Sequence, residues 1–270
     1  MPAVAGPRVH WVSVLTIAFL VVFVGAVVGL IVGDVCYTRP GPMLEVLRSP
    51  EVRFAIVLSL ITSGASLVLV IGFSIPVGYA LSRYRFPGSA VLDALVDLPI
   101  VLPPVVIGVS LLVFFRTWLG QWIESIPWLQ FVYTPQGIVL CQFFVSASYG
   151  IRGAKSAFDS VDRRLEHLAL TLGCTHGLAF RLVALPMARN GLAAAAVMAW
   201  ARAVGVFGPL MIFAGAVRMK TEVMPTTIFL ELSVGRIEPA LAVAMLMLVI
   251  AMVALTLIHW LGSRHRWWRT

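Results

Sequence analysis

Residues Glu166–Pro186 read EHLALTLGCTHGLAFRLVALP. This amphipathic stretch lies between long apolar ones, and its spacing predicts helix, glycine stop, short helix, proline stop. Val161, Leu165, Leu168 and Leu172 fall at i, i+4, i+7 and i+11, one face of a helix. Ser160 or Asp162 can cap its start, and Gly173 is a natural residue just past its end. Thr175 can cap a second short helix that Pro186 ends. A chain that projects such an elbow into water offers a surface to a soluble partner.

The surroundings of the elbow are membrane. Of 270 residues 60% are hydrophobic and 12% charged, and the mean hydropathy is +0.97. Soluble domains are nearer half apolar and a quarter charged, so the solvent for most of this surface is lipid. A span needs about 20 apolar residues. Trp11–Gly33, Phe54–Ser82, Ser125–Ile151 and Pro239–Ser263 meet this without a charge, Leu98–Phe115 is a shorter candidate, and Asn190–Val217 is interrupted only by Arg202. The expectation is an all-α membrane protein of six transmembrane helices, with the elbow between helices 4 and 5. Trp11–Gly33 is too long for a signal-peptide core and has no small-residue cleavage site after it, so it reads as the first span.

Lysine and arginine set the orientation. With the N-terminus in the cytoplasm, the inner side carries twelve: Arg8, Arg83, Arg85, Arg152, Lys155, Arg163, Arg164, Arg181, Arg189, Arg264, Arg266 and Arg269. The outer side carries seven, namely Arg39, Arg48, Arg53, Arg116, Arg218, Lys220 and Arg236, balanced by seven acids. Both termini and the elbow are therefore expected in the cytoplasm. The basic balance is a positive-inside bias, and no soluble basic face is left for nucleic acid. Cys36, Cys141 and Cys174 fall at different depths and predict no disulfide. The histidines His10, His167, His176, His259 and His265 are scattered and predict no metal site. No phosphate-binding GxxxxGK[ST] loop occurs, and no residue set predicts catalysis.

Three other features stand out. Asp93 and Asp97 are four apart on one helix face, and Pro99, Pro103 and Pro104 break the helix that follows. Broken backbone at that depth is tolerated where protein covers it or where it lines a cavity. The loop 116–134 carries Trp118, Trp122 and Trp128, an interfacial belt. Arg202 stands mid-span, where a charge costs at least about 2.5–3.5 kcal/mol on insertion scales and faces protein or water. It either braces a neighbouring helix or lines a path for an anion. Pro103, Pro104, Arg202, Gly205 and Gly208 are the candidate path residues.

The elbow resembles the EAA loop of ABC-importer membrane subunits: Glu-Ala-Ala, three residues, Gly, nine residues, Ile, one residue, Leu-Pro. Here Gly173 is followed nine residues later by Val183, Ala184, Leu185 and Pro186. His167 stands in the glutamate place, Leu168 and Ala169 in the alanine places, and Glu166 matches an acid common just before them. The run LDALVDLPIVLPPVV resembles the corresponding segment of molybdate-type permeases, and ARAVGVFG resembles their Ala-Arg then Gly-Glu-Phe-Gly, with Val206 in place of the glutamate.

That resemblance implies a single importer transmembrane domain over residues 1–270, with a core at 50–262 and a coupling loop at 159–186. It implies the permease subunit of an ATP-driven importer in a prokaryotic inner (plasma) membrane. The cargo it implies is an oxyanion, molybdate or tungstate first, with sulfate or another small solute as the alternative. It implies these partners: a cytoplasmic ABC ATPase, a periplasmic or extracellular solute-binding protein, membrane lipid, and a second permease subunit, as a homodimer or with a sister subunit. ATP and Mg would sit on the ATPase, with no cofactor on this chain. Glu166, His167, Leu168, Ala169, Gly173, Cys174, Thr175, Leu185 and Pro186 would form the ATPase-coupling loop. Two readings of other classes remain: a secondary transporter that needs no ATPase, and a membrane enzyme built on Asp93 and Asp97.

Overall fold

A computed structural model of the chain describes residues 11–37, 46, 48–84 and 86–263. His10, His265 and the terminal arginines lie outside them, as do Arg39 and Arg85. The described residues are helical with connecting loops. In chain order the helices are α1 (Trp11–Tyr37), α2 (Pro50–Arg83), α3 (Ser89–Val101), α4 (Pro104–Phe114), α5 (Trp118–Glu124) and α6 (Pro135–Asp159). Then come α7 (Arg163–Thr171), α8 (His176–Ala179), a π-helical turn (Phe180–Ala184), α9 (Leu185–Val204), α10 (Gly208–Phe213), α11 (Met224–Ser233) and α12 (Ile237–Ser263).

Four stretches are long and apolar enough to cross a membrane: Ser13–Cys36, Pro50–Arg83, His176–Val204 and Ile237–Trp260. The third expected span is a bent pair, because α3 and α4 meet at 109° across Leu102 and Pro103. Leu102 is extended there (φ −67°, ψ 140°), and the ring of Pro104 lies in the first turn of α4. A proline favours an extended residue before it and cannot continue the helix it follows.

The fourth expected span is displaced. Helix begins at Pro135, not Ser125, capped by the Thr134 side chain, which accepts from Gly137 N. α6 is also not among the stretches apolar enough to be a span by composition. It carries Gln142, Ser146 and Ser148, and twelve of its 25 residues are buried. The physical reason is its position: α6 packs between α2 and α9, so protein rather than lipid surrounds it. Small residues bring these backbones together. A Cβ at Gly78 would come within 2.7 Å of Ala154 Cβ, and one at Gly153 within 2.4 Å of Ala195 Cβ. Close approach of this kind is the main way helices gain dispersion contact in lipid.

The fifth expected span is also corrected. It does not start at Asn190, and Pro186 does not end the short helix that Thr175 starts. Helical structure runs from His176 to Val204 through the π turn. Leu185 N bonds to Phe180 O in that turn, which widens the helix so that Pro186 enters the first turn of α9. A missing N–H costs little at that position. The span then ends at Val204, and 205–217 holds the short α10 instead of more span.

Candidate functional site

The elbow is built by local caps. Asp162 accepts from Arg164 N at 2.9 Å and starts α7. Gly173 N bonds to Leu170 O at 3.0 Å and Cys174 N to Ala169 O at 3.1 Å, closing the helix end. Gly173 has φ +91°, a left-handed conformation that costs an L-residue about 1–2 kcal/mol. Thr175 then accepts from Leu178 N at 3.3 Å and starts α8.

One side of α7 is bolted to the inner end of α2. Arg83 Nε donates to Glu166 Oε1 at 2.7 Å, and Tyr79 Oη donates to Glu166 Oε2 at 2.7 Å. The Arg83 and Glu166 side chains are 7% and 11% exposed. Arg83 also donates to Val161 O and to Ser82 Oγ, each at 3.1 Å. Arg163 donates to Ser82 O. The Tyr79 ring meets Phe158 and Phe180 edge-on at 5.3 and 4.7 Å. Glu166, expected on the coupling surface, therefore faces inward. Its carboxylate is taken up by Arg83 and Tyr79 of α2.

The other coupling candidates are placed differently. His167, Leu168, Gly173, Thr175 and Pro186 are exposed, and Ala169, Cys174 and Leu185 are half-buried. Leu172 is 79% exposed and Leu168 59%. Beneath the elbow lies a cavity of about 130 Å³ lined by Tyr79, Tyr84, Arg163, His167, Leu170 and His176. Among the described residues no three metal-ligating side chains come together.

Beside the elbow, the acids of α3 are tied to α6. Arg152 donates to Asp93 Oδ1 at 2.8 Å and to both oxygens of Asp97, and Lys155 reaches Asp93 at 3.2 Å. These ion pairs fasten an otherwise exposed helix, since no residue of α3 is buried. A carboxylate pair paired with cations in this way is a brace; neither acid is free to act as a general base.

The path candidates fall into two groups. The α3–α4 bend and α10 are in backbone contact: a Cβ at Gly108 would lie 2.7 Å from Pro209 Cα, and one at Gly208 2.7 Å from Val105 Cγ2. This places Gly208 beside the turn that follows Pro103 and Pro104. Gly205 is exposed, directly after α9. Arg202 lies one turn earlier, with its guanidinium 5.6 Å from the centre of the Tyr149 ring on α6. Its Nε is buried without a hydrogen-bond partner among the described residues. Val206, four residues on, is buried against Ile107 and Leu111 and supplies no counter-charge.

Two features were not foreseen. The Tyr79–Arg83 anchor is invisible locally, because its partners are 87 and 83 residues from Glu166. Glu222, in the loop before α11, is fully buried, and neither carboxylate oxygen has a partner among the described residues. Burial pushes its carboxyl above the usual range, with the nearby Thr227 hydroxyl and then the Arg218 charge pulling back.

Comparison with known proteins fits this geometry. Residues 71–267 match the family described as "Binding-protein-dependent transport system inner membrane component". The "Molybdate/tungstate transport system permease protein WtpB" of Thermococcus kodakarensis is 39% identical over 172 residues, 64% of this chain and 65% of that protein. The "Sulfate transport system permease protein CysT" of Escherichia coli is 32% identical over 222 residues, 82% of this chain and 80% of that one. The fold is shared with a solved bacterial alginate ABC transporter, crystallised with an alginate-bound periplasmic protein. The TM-score is 0.68 at 20% identity, covering 93% of this chain and 91% of that one.

Proposed function

Since this chain belongs to the family of binding-protein-dependent transport system inner membrane components, we propose that it is the permease subunit of an ATP-driven importer for molybdate or tungstate. The observation that carries the reading is the elbow: a capped helix pair bolted to α2 on one face, with Leu168 and Leu172 bare on the other. Relatives named as molybdate/tungstate permeases support the cargo. The sulfate permease relative supports sulfate as the second reading.

In this account residues 1–270 form one transmembrane domain with its core at 50–262 and its coupling loop at 159–186. Six segments span an inner (plasma) membrane, with α6 and the bent α3–α4 pair completing the set and both termini in the cytoplasm. Two copies enclose the pathway. A cytoplasmic ATPase, which alone holds ATP and Mg, grips each elbow through His167, Leu168, Ala169, Gly173, Cys174 and Thr175. Leu185 and Pro186 carry the motion into α9. An external binding protein delivers the anion.

Closure of the ATPase pair moves the two elbows. Because Glu166, Arg83 and Tyr79 join elbow to α2, and the π turn joins it to α9, the movement reaches both spans as one body. The α3–α4 bend, α10, Gly205 and Arg202 line the route that opens and closes. Coupling in this sense is a difference in the free energy of two states, biased from the cytoplasmic side by nucleotide and from the outer side by the loaded binding protein.

The test is cellular molybdenum and tungsten, measured by elemental mass spectrometry in cells with and without the gene at trace oxyanion and excess sulfate. Loss of either metal on deletion, restored by the gene, supports the reading. Unchanged metals with reduced sulfate uptake would move the cargo to sulfate.

A further inference from the structure

Between Arg163 and Arg189 the chain has one acid, Glu166, against four arginines and two histidines. The structure places that acid inside, under Arg83 and Tyr79. Arg163 turns the same way and bonds to Ser82 O. Apart from Asp162, whose carboxylate is exposed but accepts from Arg164 N as the cap of α7, and the hydroxyls of Thr171 and Thr175, the exposed polar groups that remain on the elbow are Arg164, His167, His176 and Arg181, set among bare Leu168 and Leu172.

From this, and resting on the reading that the elbow seats in an ATPase subunit, we infer that the groove receiving it is apolar at its floor and carries carboxylates at its rim. The elbow is a cationic plug. A groove lined with arginine or lysine, suited to an acidic loop, would meet Arg164 and Arg181 with like charge, which complementary interfaces avoid.

Glu166 marks the side of α7 that meets the membrane domain. Arg164 and Leu168 each lie two residues from it, about 200° around a helix of 3.6 residues per turn. Both therefore point away from α2, the span to which Glu166 is bonded. The same geometry makes the surface mutable, because Arg164 and His167 are exposed and hold none of the bonds that anchor the elbow.

The test uses the whole permease in nanodiscs with its own ATPase. Binding of the ATPase is measured for wild type and for R164E/H167E, at salt from about 0.05 to 0.5 M, a range over which exposed charges become screened. The expected result is association at least about tenfold weaker in the variant, a wild-type affinity that falls with salt, and rescue when groove Asp or Glu residues of the ATPase are changed to Lys. Hydrogen exchange over residues 163–181 reports whether the variant elbow is still folded. Equal affinity of variant and wild type, or a wild-type affinity indifferent to salt, overturns the inference. So does a variant that loses only its response to anionic lipid. If the wild type binds no ATPase at all, the importer reading itself falls.

Discussion

Removing Glu166 should free the elbow without unfolding the spans. In Glu166→Ala the Arg83 guanidinium, 7% exposed, loses its counter-charge and keeps only Ser82 Oγ and Val161 O, both at 3.1 Å. Breaking one side of a buried ion pair costs about 3–5 kcal/mol, because the remaining charge stays desolvated. Tyr79 Oη also loses its 2.7 Å acceptor, a bond to a charged group of about 1.5–3 kcal/mol. The two losses share one carboxylate and do not add, so about 3–5 kcal/mol is the expected total. At about 1.4 kcal/mol per tenfold, that is two to three and a half orders of magnitude in the opening equilibrium. Hydrogen exchange in the purified protein reads this directly. Amides of 163–172 should lose protection by that factor, or reach the unchecked rate, while α6 and the centre of α9 keep theirs. Arg83→Ala should do the same, and the double variant should be no worse than either single one, as for two residues acting as a unit. Unchanged protection of the elbow in Glu166→Ala would refute the anchoring.

Three further outcomes follow. Gly173→Pro should abolish transport with membrane insertion intact, because proline fixes φ near −65° and the position needs +91°; Gly173→Asn should retain most uptake, since Asn tolerates this conformation and nothing lies within 4 Å of an added Cβ. Gly108→Ala should lower the melting temperature and uptake together, because its Cβ would sit 2.7 Å from Pro209 Cα and overpacking costs about 1–3 kcal/mol. Glu222 is held above the ordinary carboxylate range by burial, so the folded protein keeps its proton longer than the unfolded chain does. Its contribution to stability is then fully present below the ordinary carboxylate value and is lost as pH rises through the raised one. Glu222→Gln should flatten the melting temperature against pH across that window and raise it at the alkaline end.

Local chemistry explains what was readable beforehand. Asp162, Gly173 and Thr175 each act on residues within five positions, so spacing alone located the elbow. Pro103 and Pro104 announced the bend for the same reason. The faults arise where distant parts of the chain decide. Which side of α7 faces α2 is set by Tyr79 and Arg83, and no periodicity within 163–171 reveals that Glu166 faces inward. Pro186 looked like a stop because a proline ends an α-helix; the π turn before it removes that conflict. An apolar window finds helices that face lipid, and α6 faces α2 and α9, where Gly150 lies against Ser74 and Val70 and Gly153 against Ala195. The sequence marks Arg202 as a charge at depth, while the Tyr149 ring beside it comes only from the packing of α6 on α9.

The central claim is that ATP hydrolysis on another subunit drives an oxyanion through this chain by way of the elbow. Proteoliposomes holding the permease and its ATPase, with loaded binding protein outside and ATP inside, test it most directly. Uptake of labelled molybdate or tungstate should require ATP, and Gly173→Pro should remove it. ATP-independent uptake, or full uptake by the Gly173→Pro variant, would contradict the account.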